Sequence, residues 1–255
     1  MQTFATDLYH CNLPPNPSED LHELFERIEV YNDFMPHSAA MNMAIDEELL
    51  ESAEFPSIRF YQWQSPALSF GYFGRFADVA DCAVERDLVR RWTGGGIVFH
   101  GEDLTYSIVI PANDPVFAES SMSIYEKVHR ALSHALIANG TRAELASVAA
   151  VSDCPNQIDS AVGDRRYSDC FANPVRADVM IDGRKVAGAA QRRTRRGLLQ
   201  QGSIQNVDLA NGLAERFAQA LSANCRERKI NEEILNRARE LAQCKYGTNS
   251  WLQKR

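Results

Sequence analysis

Apolar residues near the start of the chain recur every three or four positions, which is the spacing of one face of an amphipathic helix. After a proline-rich, irregular lead-in over residues 1–17, the pattern predicts a helix over residues 18–30 and a turn over residues 33–37. A second helix is predicted over residues 39–52, with Ser38 as its N-terminal cap.

The pattern then changes to short runs rich in aromatic and β-branched residues, which favour strands. Asp182-Gly183 is a typical two-residue hairpin turn, so the strands on either side of it should pair. A serine-proline turn joins the first two strands. The predicted strands cover residues 58–63, 67–73, 96–99, 104–110, 177–181, 185–191 and 198–205.

Helical patterns lie on both sides of the strands. The clearest covers residues 121–139 and ends at Gly140, a residue favoured just past a helix C-terminus. Shorter helical patterns cover residues 78–87, 209–223 and 231–244. Strands in the middle and helices at the flanks predict an α+β fold, with a mixed β-sheet flanked by α-helices.

Composition and charge narrow the possible functions. The chain has 255 residues and a net charge of −7, which disfavours a general nucleic-acid binder. It shows no basic, apolar leader and no apolar run of about 20 residues, the length that spans a bilayer. Its six cysteines form no CxxC pair, which disfavours a structural metal site. We therefore expect a cytoplasmic protein with free thiols, no metal, and neither nucleic acid nor membrane as a partner.

Three consecutive glycines, residues 94–96, stand between the pair Arg90-Arg91 and His100. Three missing Cβ atoms let another molecule approach the main chain closely, although a glycine-rich hairpin turn has the same composition. The segment lacks the GxxxxGK[ST] and GxGxxG spacings of nucleotide-binding loops. His100 is compatible with a ligand contact, a cap or a turn residue.

A second glycine-rich, basic segment covers residues 182–193. In a strand, Lys185 and Ala187 share one face, so small neighbours leave room for a ligand beside the lysine. Such a lysine stabilises negative charge on an acyl oxygen or exchanges a proton, whereas the simpler alternative is an exposed hairpin lysine. Four nearby arginines form either a solvated basic face or a site for an acidic partner. They are Arg192, Arg193, Arg195 and Arg196.

Cys170 ends a polar, turn-rich stretch and is followed by Phe171. The downstream basic residues favour a thiolate, and a thiolate is a good nucleophile for thioesters. A buried, unreactive loop cysteine is the alternative.

Together these motifs resemble the biotin/lipoate protein ligase and octanoyltransferase superfamily. Residues 90–107 resemble its RR-x-[ST]-GGG-x-V-x-H signature, and residues 183–193 resemble its lysine segment. Two positions depart from the pattern, because Gln201 replaces the expected histidine and Ala189 replaces a more usual serine. Further similar segments are residues 42–47, 60–73, 200–204 and 245–248, and Trp251.

The resemblance implies the catalytic-domain fold of these ligases and an acyl pocket beside the glycine segment. It implies catalysis by Lys185 and by Cys170, which stands in a Cys-Phe pair before the lysine segment, as in one octanoyltransferase class. Apolar walls are expected around Trp63, Phe70 and Tyr72. The residues expected to bind substrate are Arg90, Arg91, Thr93, Gly94, Gly95, Gly96, His100, Gly188 and Ala189.

We expect one catalytic domain over residues 1–255, with a lead-in and helix over residues 1–38, helices over residues 206–255, and no accessory domain. As a transferase, it would move an octanoyl (or lipoyl) group through a thioester on Cys170, and octanoyl-acyl carrier protein would be the donor of the octanoyl group. The acceptor would be a lysine of a lipoyl domain or of a glycine-cleavage H-type protein, and no cofactor would be needed.

Two other hypotheses stay open. An ATP-dependent lipoate–protein ligase would use ATP and Mg²⁺ and would form an acyl-adenylate. A catalytically inactive member of the superfamily would bind acyl groups or acyl domains without turnover.

Overall fold

The computed structural model describes residues 23–147, 174–209 and 212–254, and within these ranges the strands form two sheets. The strands are β1 (Ile28–His37), β2 (Ser57–Trp63), β3 (Ala67–Phe70), β4 (Asp87–Arg90), β5 (Ile97–His100), β6 (Leu104–Pro111), β7 (Ala143–Leu145), β8 (Val179–Ile181), β9 (Arg184–Arg193), β10 (Gly197–Ile204) and β11 (Cys225–Arg228).

The larger sheet has the strand order β11-β1-β2-β6-β10-β9-β8-β7, and the smaller one has the order β4-β3-β5. Strand β1 runs parallel to both β2 and β11, and β3 runs parallel to β4. The other pairings in these sheets are antiparallel. The sheets are therefore mixed, as the sequence predicts.

Helices pack on both faces of the larger sheet. One apolar core lies under α2 and α3, and the other lies under α1 and α4. The helices are α1 (Ala39–Ser52), α2 (Ser121–Ala138), α3 (Leu213–Leu221), α4 (Glu232–Leu241) and α5 (Asn249–Leu252), and a π-helical turn (Ala242–Tyr246) follows α4.

The two longest helices confirm their sequence signals. The Ser38 hydroxyl accepts a hydrogen bond from the Met41 amide and caps α1. Ser120 caps α2 in the same way through the Ser123 amide, and Gly140 lies past its end with φ +85°. The hairpin at Asp182-Gly183 is also confirmed, because both residues have the positive φ of a type I′ turn (49° and 75°).

The prediction of a lead-in and helix over residues 1–38 is wrong where the structure describes it. Residues 28–37 form β1, and the predicted turn over residues 33–37 lies inside this strand. The side chains of Ile28 and Val30 are buried at alternate positions, which is the period of a strand. Ile28 also has helical spacing from Leu24 and Phe25, and this second pattern led to the helix prediction. Parallel pairing on both sides of β1 outweighs the local helical pattern.

Two smaller expectations also need correction. Residues 78–87 form no α-helix, but contain parts of two short 3₁₀ turns, Phe76–Asp78 and Ala80–Val84. The C-terminal segment over residues 206–255 is not purely helical, because β11 extends the larger sheet.

Strands β2 and β3 are consecutive but belong to different sheets. None of the described helices combines the length and apolar character needed to cross a membrane.

Candidate active site

A cavity opens between the glycine segment and strands β9 and β10, and it encloses about 480 Å³ of space, part of which is open to solvent. The cavity brings together Arg91, Gly95, His100, Lys185, Gly188 and Ala189 from the predicted set. The remaining lining residues are Met43, Tyr61, Trp63, Ser69, Val98, Thr105, Ala190, Gln201, Gly202 and Ser203.

The glycine segment packs against the end of β3. A Cβ on Gly71 would lie 2.0 Å from the Gly95 carbonyl oxygen, so a side chain there would displace the segment. Gly95 itself has φ +82°, in the left-handed region that favours glycine. The Arg91 guanidinium donates to the carbonyl oxygens of Gly94 (3.1 Å) and Gly96 (2.7 Å), and these two hydrogen bonds fix the conformation of the glycine segment.

Arg90 has a different environment from Arg91. Its buried guanidinium donates to the carbonyl oxygens of Tyr72 (2.8 Å), Gly74 (2.6 Å) and Leu252 (2.9 Å). These contacts tie the C-terminal helix α5 to the end of β3. The cavity is not lined by Arg90.

Thr93 is buried and connects the glycine segment to the larger sheet. Its hydroxyl donates to the Gln201 side-chain oxygen at 2.8 Å, and the Gln201 amide nitrogen donates to Asp46 at 2.7 Å. Gln201 therefore fills the expected histidine position with a group that donates to one partner and accepts from the other.

His100 is buried between two polar partners and stacks on Trp63, with ring centroids 4.0 Å apart. Its Nδ1 lies 2.8 Å from an Asp103 carboxylate oxygen, and its Nε2 lies 2.7 Å from the Ser69 hydroxyl. Burial lowers the pKa of His100 despite the attraction of Asp103. Burial opposes ionisation of Asp103, yet His100 and the Ser203 hydroxyl lower its pKa to about 2. A neutral imidazole that donates from Nδ1 to Asp103 and accepts from the Ser69 hydroxyl at Nε2 satisfies both contacts.

Lys185 is also buried, and it faces the cavity beside Asp178. Its ammonium nitrogen lies 2.8 Å from an Asp178 carboxylate oxygen, and both side chains are almost fully buried. The other Asp178 oxygen accepts from the Tyr125 hydroxyl at 2.5 Å, and the Val175 amide donates to Asp178 at 2.7 Å. Burial and then the Asp178 charge raise the pKa of Tyr125 well above its usual value. The simpler reading of Lys185 as an exposed hairpin lysine is therefore wrong.

The main chain beside Lys185 is shaped around its side chain. A Cβ on Gly188 would lie 2.5 Å from the Lys185 Cε and 2.6 Å from its Nζ, so only glycine leaves this lysine in place. The Ala189 amide donates to the Tyr125 hydroxyl at 3.1 Å. Asp178 and Tyr125 thus connect the lysine to the wall of the cavity.

Sequence reasoning missed Asp178, Tyr125, Ser69 and Asp103. Asp178 comes seven residues before Lys185, and the two meet because β8 and β9 pair as a hairpin with a register shift at Val179. An acidic residue at the start of the strand opposite the lysine was the available signal. Tyr125 lies on the distant helix α2, and nothing near it in the sequence marks it.

Several residues predicted to bind substrate or form its walls do not line the cavity: Arg90, Thr93, Gly94, Gly96, Phe70 and Tyr72. Trp63 lines the cavity as expected, whereas Phe70 belongs to the small core under the second sheet. Cys170 lies outside the described residues. Within residues 23–147, 174–209 and 212–254, no group of three or more His, Cys, Asp or Glu is arranged to hold a metal ion.

Comparison with known proteins points to one family. The model of the lipoyl protein ligase A/B catalytic domain matches residues 38–246. An octanoyltransferase LipM of Brevibacillus brevis is 33% identical over 208 residues, which cover 76% of this chain and 74% of the relative. The LipM of Bacillus cereus is 35% identical over 181 residues, covering 68% of this chain and 63% of the relative, so the chain spans less than two thirds of that protein.

Solved structures of low sequence identity share the fold. The putative lipoate protein ligase Ta0514 of T. acidophilum superposes with a TM-score of 0.69 at 22% identity, over 89% of this chain and 98% of that one. A bi-partite lipoate protein ligase described with its E2 lipoyl domain, from Thermoplasma acidophilum, gives a TM-score of 0.64 at 20% identity, over 90% and 96% of the two chains. These matches confirm the ligase catalytic-domain fold predicted from the sequence.

Proposed function

The chain belongs to the lipoyl protein ligase A/B catalytic-domain family, and from this premise we propose that it transfers an octanoyl group to a lysine of a lipoyl domain. The observation that carries this proposal is the buried pair of Lys185 and Asp178 at the wall of a largely apolar cavity. The names of the LipM relatives support octanoyl as the group transferred.

In the first step, the Cys170 thiolate attacks the thioester carbonyl of octanoyl-acyl carrier protein. A new carbon–sulfur bond forms, the old one breaks, and the carrier thiol leaves with a proton. In the second step, the acceptor lysine amine attacks the acyl-Cys170 carbonyl. An amide forms, the amine loses a proton, and the Cys170 thiolate is released.

Lys185 stabilises the oxyanion in both steps. Its ammonium group is paired with Asp178 and fixed by the close packing of Gly188, so little reorganisation accompanies the appearance of negative charge on the substrate oxygen. In the first step this ammonium group also donates the proton to the leaving thiol and becomes a neutral amine. In the second step that amine takes a proton from the attacking amine, which restores the ammonium group beside the oxyanion.

The connectivity of the chain is compatible with Cys170 as the nucleophile. Cys170 precedes Val175 by five residues, which span at most about 18 Å when extended. The Val175 amide donates to Asp178, the partner of Lys185. A cysteine on this tether is within reach of the lysine.

The other predicted binding residues have distinct roles in this proposal. Gly95, Gly188 and Ala189 form the walls of the acyl site, and His100 with Trp63 forms its floor. Arg91 and Thr93 hold the glycine segment in shape through Gly94, Gly96 and Gln201. Arg90 acts at a distance, by fixing the C-terminal helix.

The ligase alternative is supported by the fold shared with lipoate protein ligases. It requires a place for ATP and Mg²⁺. The cations lining the described part of the cavity already have protein acceptors: Lys185 contacts Asp178, and Arg91 contacts Ser69 and two carbonyl oxygens. This arrangement fits a neutral acyl thioester better than a triphosphate, so the proposal needs no cofactor.

The remaining parts of the proposal concern partners and setting. The lipoyl domain is the acceptor, in line with the lipoyl domain named with the bi-partite ligase. The donor is octanoyl-acyl carrier protein, an H-type protein is a second acceptor, and the reaction takes place in the cytoplasm. Residues 1–255 act as one catalytic domain.

A transfer assay tests the proposal. With octanoyl-acyl carrier protein and a lipoyl domain, transfer is expected without ATP, and Cys170→Ala is expected to abolish it. Transfer from free octanoate that depends on ATP and is unaffected by Cys170→Ala would establish the ligase instead.

A further inference from the structure

Cationic and aromatic side chains alternate on the surface beside the cavity mouth. Arg192 lies over the rings of Tyr72 (5.0 Å) and Trp92 (4.9 Å), and Lys254 lies over Tyr72 and Trp251 (4.9 Å each). Lys245 lies between Trp92 (4.7 Å) and Trp251 (4.5 Å). We call this set the mouth surface, defined as Tyr72, Trp92, Arg192, Lys245, Trp251 and Lys254.

The mouth surface is continuous with the cavity. Tyr72 follows Gly71, which packs on Gly95, and the Tyr72 amide donates to the Thr93 carbonyl oxygen at 2.8 Å. Arg192 lies two residues after Ala190 on the same face of β9, and Ala190 lines the cavity. A molecule that approaches the cavity past Gly95 therefore meets this surface.

The mouth surface carries positive potential, although the whole chain has a net charge of −7. The hydrogen bond from Lys254, and then the charges of Lys254, Arg192 and Lys245, lower the pKa of the Tyr72 phenol against the effect of burial. Glu47 pairs with Lys245 at 2.5 Å and compensates part of this charge. Arg192 and Lys254 remain as cations held by aromatic faces.

The four arginines that cluster in the sequence after residue 191 do not share one environment in the structure. Arg193 donates to the carbonyl oxygens of Phe117 and Glu119, and Arg196 pairs with Glu51 at 3.3 Å. Arg192, in contrast, lies over the rings of Tyr72 and Trp92. Charge next to the mouth thus comes from Arg192 and from the C-terminal residues Lys245 and Lys254, which the sequence places far apart.

An apolar contact point adjoins this charge. Phe73 is 85% exposed, and its ring lies 5.1 Å from that of Tyr72. Aromatic residues and arginine are enriched at protein–protein interfaces, and this surface has both.

We propose that the mouth surface is the docking site for an acidic domain that presents the acceptor lysine, with Phe73 as its apolar contact. This inference rests on the proposed function, because the acceptor amine must enter the cavity while its domain stays outside. The positive potential attracts an acidic domain and orients its lysine toward the mouth, whereas it repels a basic one.

The test separates docking from chemistry. The acyl-enzyme is first formed with octanoyl-coenzyme A as the donor. Its decay is then followed with an acidic lipoyl domain well below saturation, and separately with hydroxylamine. Lys254→Glu and the double variant Arg192→Glu/Lys254→Glu are compared with Arg226→Glu, an exposed arginine on the edge strand β11.

For the double variant at low ionic strength, the rate at which the lipoyl domain consumes the acyl-enzyme is expected to fall at least about 10-fold, because electrostatic steering of the acidic domain is lost. The rate with hydroxylamine should stay within about twofold. Added salt should slow the reaction of the unchanged protein with the lipoyl domain and have less effect on the variant. Arg226→Glu should resemble the unchanged protein.

An unchanged rate with the lipoyl domain in the double variant, or an equal loss with hydroxylamine, would overturn the docking proposal. If no acyl-enzyme forms, the proposed function fails, and docking is then tested by direct binding of the lipoyl domain at low salt. Binding by the unchanged protein that Lys254→Glu weakens would support the surface, and equal binding would refute it.

Discussion

At the residue scale, the site depends on how Lys185 is held. Its ammonium group is buried in an ion pair with Asp178, and Asp178 also accepts from Tyr125 and the Val175 amide. A buried charge that loses its partner is strongly destabilised, so the two residues act as a unit. The lysine was identifiable from its motif, but its partner depends on the register shift at Val179, which the turn signal does not specify.

Asp178→Asn is expected to reduce octanoyl transfer by about 10²-fold, because Lys185 loses the charge that fixes it at the oxyanion. The initial rate at saturating donor measures this effect, with circular dichroism as a check on folding. Asp182→Asn removes the same charge from an exposed turn residue whose φ of 49° asparagine tolerates. This control should stay within about twofold.

Equal activity of Asp178→Asn and the unchanged protein would contradict the role given to the pair. If Asp178→Asn does not fold, Tyr125→Phe takes its place. That variant removes only the hydroxyl between Asp178 and the Ala189 amide, and transfer should fall about 10-fold.

At the element scale, Asp46 ties α1 to three strands of the larger sheet, and Gln201 joins this network to Thr93, which precedes the glycine segment. Asp46 on α1 accepts from Arg59 (2.8 Å), Ser107 (2.7 Å) and Gln201 (2.7 Å), and all four side chains are buried. The bounds of α1 were predictable because a serine cap and helical spacing agree. Its polar network was not, because the partners come from three different strands.

Asp46→Asn should lower the free energy of unfolding by about 3 kcal/mol, since it leaves the buried Arg59 guanidinium with one charged partner fewer. Chemical denaturation followed by tryptophan fluorescence measures the change. Glu51→Gln, at an exposed position of the same helix, should change stability by less than about 0.5 kcal/mol. A loss of less than about 1 kcal/mol for Asp46→Asn would mean that the network contributes little to stability.

The first strand marks a limit of local sequence reasoning. Leu24, Phe25 and Ile28 have helical spacing, yet residues 28–37 lie between β2 and β11. A strand with parallel neighbours on both sides depends on partners far along the chain, and β11 comes almost two hundred residues later. Hairpins such as β8–β9 were predictable because their pairing is local and their turn has its own sequence signal.

At the scale of the whole molecule, buried ionisable groups determine how stability depends on pH. Burial lowers the pKa of His129 to about 4, while its ring donates to the Ala177 carbonyl oxygen and accepts from Tyr106. The imidazole of His129 binds a proton near pH 6.5 in the unfolded chain but only near pH 4 in the folded chain. The contribution of His129 to the free energy of unfolding is therefore complete above pH 6.5 and is lost as the pH falls toward 4.

The free energy of unfolding should therefore fall by about 2 kcal/mol between pH 7 and pH 4.5 on account of His129. Asp103, with its pKa of about 2, contributes mainly below this window. His129→Gln keeps one donor and one acceptor, and it should remove that part of the pH dependence. An unchanged slope in His129→Gln would contradict this assignment.

The proposed transfer requires that the acyl group pass through a thioester on Cys170. Intact mass spectrometry after brief incubation with octanoyl-acyl carrier protein, followed by peptide mapping, detects this thioester. We expect one octanoyl adduct on the peptide that contains Cys170, absent in Cys170→Ser and released when a lipoyl domain is added. If Cys170→Ser transfers octanoate to the lipoyl domain at the normal rate and no adduct forms at any stage, the thioester mechanism is wrong.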